Sequence, residues 1–298
     1  MSTAADNGYF PRSTSVLRRV HEERAVGLLY GQRALAIGSI NPLNSIGTLT
    51  HTWARTTPFQ RLAHTGKMFE TIFFGSREEA DGVLKMVDRM HQTVNGTIPE
   101  DAGRIKAGTP YSAFDAELML WTIAVGADSA RVFYEMLVGP LSGAERDALW
   151  SDYVRFGELF GMPREVAPSS HAEFSAYFNE QINRPEAHLT DEALKLGTAI
   201  MFQIPVPSSQ RPAMALHNLI VLGSLPPRIR ELYGLRWTPA QAVAFRAAVR
   251  ALRSSRPLVP ARLRTGSNAF HFDVVARTEK ARAARGEEIP GALSPSPS

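Results

Sequence analysis

Apolar residues in this chain recur at three- and four-residue spacing almost throughout, and no alternating stretch is long enough to demand a sheet. A residue set repeating every 3.6 positions lines one face of a helix, so the chain must bury its hydrophobic surface by packing helices together. The expected fold is all-α, a single compact multi-helix domain. Ser15 to Tyr30 reads as an outer helix with one apolar side, and Gln32 to Thr52, which has almost no charge, reads as a central one broken or kinked at Pro42. Pro58 suits a first helical turn, and Phe59 to Phe74 continues as a helix stopped at Gly75, expected as a left-handed cap. Ser76 and Glu79 have capping-box spacing, and Ala80, Val83, Leu84, Val87, Met90, His91 and Val94 form the inward stripe that follows. Asn95 to Pro110 reads as a surface loop; Asp115 caps a helix through Val125, Ser129 to Val138 follows, and Ser142 with Glu145 opens the next.

Composition narrows the chemistry. With 298 residues, 44% of them hydrophobic, the chain can bury a sizeable core. The absence of cysteine excludes disulfides, thiolate metal sites and a cysteine nucleophile, which leaves eight histidines and the carboxylates as metal ligands. A net charge of +4 is too small for phosphate-backbone binding, so no nucleic-acid partner is expected. The longest apolar run, Leu118 to Ala127, is far short of the roughly 20 residues that cross a bilayer, and the polar start lacks a secretory pattern. A cytoplasmic protein, monomeric or homodimeric, is the expectation. Residues 1–14 read as a flexible arm, 15–285 as the domain, and 286–298, rich in Pro and Ser, as a disordered tail.

Phosphate-binding glycine loops, HExxH and GxSxG are missing from the sequence. What remains is His91 on an apolar stripe, where a neutral imidazole needs either a backbone or water partner or a metal. On the preceding helix Arg61, His64 and Thr65 lie at relative positions 0, +3 and +4 among Phe59, Leu62, Met68, Phe69 and Phe73. Polar groups in an apolar setting suit a buried pocket, whereas a solvated helix edge with Arg61 in a salt bridge is the plainer alternative.

The blocks RLAHTGKMFETIFFGSREEA, RMHQTVNG, GTPYSAFDAELMLWTIAV, GELFGMP and LPPRIRELYGL, in this order between about Gly31 and Trp237, resemble the MpaB-like oxygenases, whose relatives include the rubber oxygenases, or latex clearing proteins. The resemblance implies an all-α domain with a buried haem pocket between helices. It also implies haem b whose iron (the metal) is held by His91, with Arg61 and Thr65 matching the family's R-x-x-x-T pair on the distal side as catalytic and cofactor-binding groups. His64 stands where rubber oxygenases have a lysine and joins the catalytic set. Asn41-Pro42 replaces the family's frequent His-Pro, and no counterpart of the rubber enzymes' catalytic glutamate stands in Gln32 to Thr52. Polyisoprene cleavage therefore does not follow; dioxygen and a small apolar or aromatic metabolite are the expected reactants. Tyr111, Asp115 and Trp121 fall in a family block, but a helix cap and a core aromatic explain the last two as well. A haem carrier or gas sensor without a substrate, and a haem-free ligand-binding protein, are the competing classes. Six arginines in the C-terminal third, Arg246 to Arg264, leave open an anionic partner or membrane surface against the plainer solvated helix face.

Overall fold

The computed structural model describes residues 7–294, and within them helices dominate. In chain order these are α1 (Val16–Glu22), α2 (Arg24–Gly38), α3 (Pro42–Thr50), α4 (Pro58–Phe74), α5 (Arg77–His91), α6 (Ala116–Leu137), α7 (Gly143–Leu159), α8 (His171–Asn183), α9 (Asp191–Phe202), α10 (Arg211–Ser224), α11 (Pro227–Leu232), α12 (Pro239–Ser255), α13 (Ala261–Arg264) and α14 (Ala269–Ala284). The surface loop expected after α5 carries a small antiparallel ribbon, β1 (Asn95–Thr97) on β2 (Pro110–Ser112), with Gly96 opposite Tyr111.

Helix α6 is the central post. It runs unbroken where two helices were expected, because nothing between Val125 and Ser129 interrupts it, and it buries Trp121, Ala124, Ala127, Ala130 and Phe133. The alanines let α2 approach along it, and α7 and α8 complete the core with Trp150 stacked on Phe174 at 4.1 Å. The one charge of the central stretch, Arg33 on α2, is buried against Asp128 of α6 at 2.7 Å and also donates to Ser129 Oγ and the Ser224 carbonyl. Burial penalises both charges, but Arg33 and Arg131 outweigh it at Asp128 and hold that carboxyl below its ordinary value.

Helix boundaries depart from expectation at Glu23 and Gly75, while the break expected at Pro42 is present. The first helix breaks at Glu23, which adopts an extended conformation and bridges to Thr265, so α1 and α2 are separate. The central stretch breaks just before Pro42, where the Asn41 side chain accepts from the Leu43 and Asn44 amides and caps α3. Gly75 is extended, with φ −79°, rather than left-handed. Glycine is needed there for space: a Cβ would lie 2.5 Å from the Thr71 carbonyl oxygen.

Both terminal stretches dock where the sequence leads one to expect free chain. Phe10 is fully buried with its ring 6.0 Å from Phe73, and the Tyr9 hydroxyl donates to Asp81 at 2.6 Å. After α14 the chain returns: Ile289 and Leu293 are buried, Leu293 packs with Leu49 and Ala193, and its amide donates to the Arg55 carbonyl. These few apolar residues find ready hollows, a complementarity that composition cannot reveal. Residues 1–6 of the arm and 295–298 of the tail lie outside the described residues.

Candidate functional site

Two helices carry the candidate groups, α4 and α5, joined through the turn at Gly75 and Ser76. Helix α5 starts at a complete capping box: Ser76 accepts from the Glu79 amide while Glu79 accepts from the Ser76 amide at 2.8 Å. Fifteen residues later it ends at His91. Helix α4 is anchored differently. Pro58 occupies its first turn, and the carboxylate of Glu279, fully buried on α14, accepts from the amides of Phe59 at 3.0 Å and Gln60 at 2.8 Å. A carboxylate at a helix N-terminus meets both the free amides and the positive end of the helix dipole. Burial still pushes this carboxyl up, since those hydrogen bonds only partly offset desolvation. Along the same contact Gly66 lets α14 close in, for a Cβ there would stand 2.8 Å from the Phe272 ring.

Arg61, Thr65, Phe69 and Phe73 follow one another at four-residue spacing and so share one row of α4. Phe73 and Phe69 pack on Phe156 of α7, each with ring centres 5.0 Å apart. Phe160, just beyond α7, links this row to α5: its ring lies 6.5 Å from Phe69 and 6.4 Å from His91. Phe114 also neighbours His91, with ring centres 6.2 Å apart. The His91 ring has no hydrogen-bond partner among the described residues, although it is half-buried. Its pKa is lowered by desolvation, with Asp88 opposing, so the neutral, lone-pair-bearing form is favoured.

Arg61, also half-buried, has no protein partner either among the described residues. Desolvation lowers its pKa, and no carboxylate pairs with it among the described residues, so the salt bridge of the plainer reading is not formed. An unpaired, desolvated guanidinium is costly unless something anionic completes it. Tyr30 of α2 shows the same mismatch: burial pushes its pKa up, with the Glu70 charge adding, yet the side chain keeps accessible area and its hydroxyl is unpartnered among the described residues. Tyr30 also packs edge-to-face on His21, ring centres 4.5 Å apart; His21 is buried, bonded to the Tyr153 hydroxyl at 2.7 Å and pushed by burial down to about 3.

The structure thus brings Thr65 onto the Arg61 row and connects that row to His91 through aromatic rings. It sends His64 elsewhere. His64 is exposed and, with Gln60 and Lys67, lines a separate surface hollow of about 370 Å³ that also includes Trp53 and Ala276. Asp115 caps α6 through the Glu117 and Leu118 amides, and Trp121 is a core residue donating to the Gly38 carbonyl, so both have structural work. Tyr111 reaches His51 at 3.1 Å, away from the groups on α4. Sequence reasoning passed over Phe160, Phe114, Tyr30 and Glu279. Phe160 sits in the GELFGMP block and was within reach; Glu279 gave no signal, because its target amides are 220 residues away.

No three His, Asp or Glu side chains gather as a metal-holding group among the described residues. A lone neutral imidazole suits a metal whose remaining positions are filled by a macrocycle, and the unpaired Arg61 suits a macrocycle carrying carboxylates. On these two observations the residues present fit haem.

An uncharacterized protein of Mycobacterium bovis and one of Mycobacterium tuberculosis are each 28% identical over 209 residues, covering 69% of this chain and 77% of their own. No solved structure matches the chain. Residues 18–254 match the family described as ER-bound oxygenase mpaB/B'/Rubber oxygenase, catalytic domain, and the chain belongs to that family.

Proposed function

We propose that this oxygenase-family domain uses haem b to oxidise a small apolar or aromatic metabolite with dioxygen. Its central support is the pair of partly buried groups without a protein partner among the described residues, the His91 imidazole and the Arg61 guanidinium, on helices joined by one turn and linked by Phe69 and Phe160. His91 is the residue that would hold the iron, and bound haem supplies the redox-active metal at which dioxygen is activated.

The remaining work falls to side chains. Desolvation keeps the His91 ring deprotonated at the nitrogen it offers, so binding needs no costly proton release near neutral pH. Arg61 supplies a fixed positive charge for a carboxylate of the cofactor or for negative charge developing during the reaction, in surroundings where water competes weakly. Thr65, one turn along, contributes a hydroxyl donor to the same face. Phe69, Phe156 and Phe160 exclude water and favour an apolar or aromatic substrate by dispersion and edge-to-face contacts. His64, exposed on another row, is assigned no step.

Asn41 is engaged as the cap of α3, so the position of the family's frequent His-Pro has a structural task here, in keeping with a substrate other than polyisoprene. Oxygen-electrode measurements on haem-loaded protein with a panel of small apolar and aromatic compounds test the reading. Substrate-dependent oxygen uptake is expected, at least about tenfold slower in Arg61→Met, corresponding to the loss of one charge-assisted contact. Haem-loaded protein that consumes no oxygen across the panel would instead be a carrier or sensor.

A further inference from the structure

From Leu232 to Phe272 the chain has seven arginines and no aspartate or glutamate, a run of forty-one residues in which every charged side chain is positive. Within it lies a segment with an unusual surface. A 3-10 turn (Arg256–Leu258) and the single turn of α13 leave Leu258 83% exposed, Leu263 61% exposed and Val259 exposed between them. Isolated exposed leucines need no explanation, but three bulky aliphatic side chains within six residues, raised toward water, do.

The segment is held out by construction. Arg256, at its start, is ion-paired with Glu23 at the break between α1 and α2. At its other end Thr265 bridges to the same Glu23, and the Gly266 amide donates to the Glu22 carbonyl at 2.8 Å. Both feet therefore stand on one point of the body, while Leu258, Val259 and Leu263 lie on the span between. Proline at positions 257 and 260 stiffens that span, lowering the entropy lost when its side chains are immobilised. Arg246, Arg250 and Arg253 on α12 and Arg262 beside Leu263 are exposed and lack a carboxylate partner among the described residues.

We propose that this loop, with the arginine face of α12, is a docking surface for an anionic lipid bilayer. An aliphatic tip with unpaired Arg262 beside it and the arginine row of α12 leading into it matches a surface whose headgroups are negative and whose acyl layer begins just beneath them, and reversible anchoring takes both signals together. Charge complementarity decides for this occupant over a second copy of the chain, because two copies meeting through this face would bring like charges together. No helix among the described residues is long and apolar enough to span a membrane, so contact here is peripheral insertion. The inference is independent of the haem reading.

Co-sedimentation of the full chain with vesicles of phosphatidylglycerol and phosphatidylcholine tests it, against vesicles of phosphatidylcholine alone. Binding to the anionic vesicles is expected, falling with added salt. Each Arg→Gln change among Arg250, Arg253 and Arg262 should weaken partitioning about fivefold, and Leu258→Asp with Leu263→Asp at least about tenfold. Because these positions are exposed, the variants should keep the wild-type melting temperature, and circular dichroism verifies that each is folded. Equal sedimentation with neutral and anionic vesicles, no sedimentation with either, or undiminished binding by the double aspartate variant overturns the proposal. So does light scattering that shows a dimer which the double variant converts to monomer, since the face would then be a self-contact.

Discussion

Replacing Asp128 by alanine should cost this protein about 3–5 kcal/mol, the typical loss when one partner of a buried ion pair is removed. The geometry places the pair at that upper range. Asp128 contacts Arg33 at 2.7 Å and Arg131 at 2.6 Å, with the Arg33 and Asp128 side chains only 3% and 7% exposed. Arg33 would keep its bonds to Ser129 and the Ser224 carbonyl but lose the carboxylate it pairs with among the described residues. With an unfolding entropy near 2.1 cal/mol/K per residue, a chain of this length should melt about 5–8 °C lower. Urea denaturation followed at 222 nm, alongside thermal melts, reads both quantities. Arg33→Met with Asp128→Leu should recover most of the loss, because the desolvation penalty disappears with the charges. Stability contributed by the depressed Asp128 pKa is present above its unfolded value and disappears as pH falls through the lower folded one. A loss below about 1 kcal/mol for Asp128→Ala, the size expected of a solvent-exposed pair, would refute the claim that these charges are desolvated.

Three further outcomes follow from individual side chains. Arg61→Met should leave the cofactor-free chain as stable as wild type or more stable, since it removes a desolvated charge without a carboxylate partner, while slowing oxygen uptake; a clear destabilisation would mean that Arg61 has a partner in the resting fold. Burial lowers the His21 pKa from 6.5 to about 3, so the unfolded chain binds the extra proton. Stability from this group is therefore complete above pH 6.5 and lost as pH falls toward 3, with a slope of about 1.4 kcal/mol per pH unit that His21→Gln should remove; an unchanged acid profile in that variant speaks against the assignment. Ser76→Ala, which breaks the α5 capping box, should cost about 1 kcal/mol by urea midpoint, and no measurable cost would show that the box is dispensable.

Sequence periodicity and capping chemistry made most helices legible. α5 was foreseen from Ser76 and Glu79 because those signals are local, and α7 likewise from Ser142 and Glu145, but the α5 stripe is buried only at Ala80 and Val87, and Met90, expected inward, is exposed. The break at Glu23 was not, because its cause is a bridge to Thr265 on a segment far along the chain. The docking of Phe10, Ile289 and Leu293 depends on the shape of hollows formed by distant helices, which composition does not encode. At the candidate site, four-residue spacing correctly put Arg61 and Thr65 on one row, but the three-residue step to His64 was enough, on this helix, to turn that side chain outward. The aromatic link through Phe160 was hidden because it joins three elements that only tertiary packing brings together.

The most direct test is the absorbance of the full chain purified after expression with a haem supply, wild type beside His91→Gly, with pyridine haemochrome quantification of bound haem. A Soret band at about one haem per chain is the predicted result for wild type, lost in His91→Gly and restored by added imidazole, which replaces the missing ligand. A wild-type protein that is folded yet carries no haem, or a His91→Gly variant with unchanged occupancy and an unchanged Soret position, would contradict the assignment of His91 as the iron ligand.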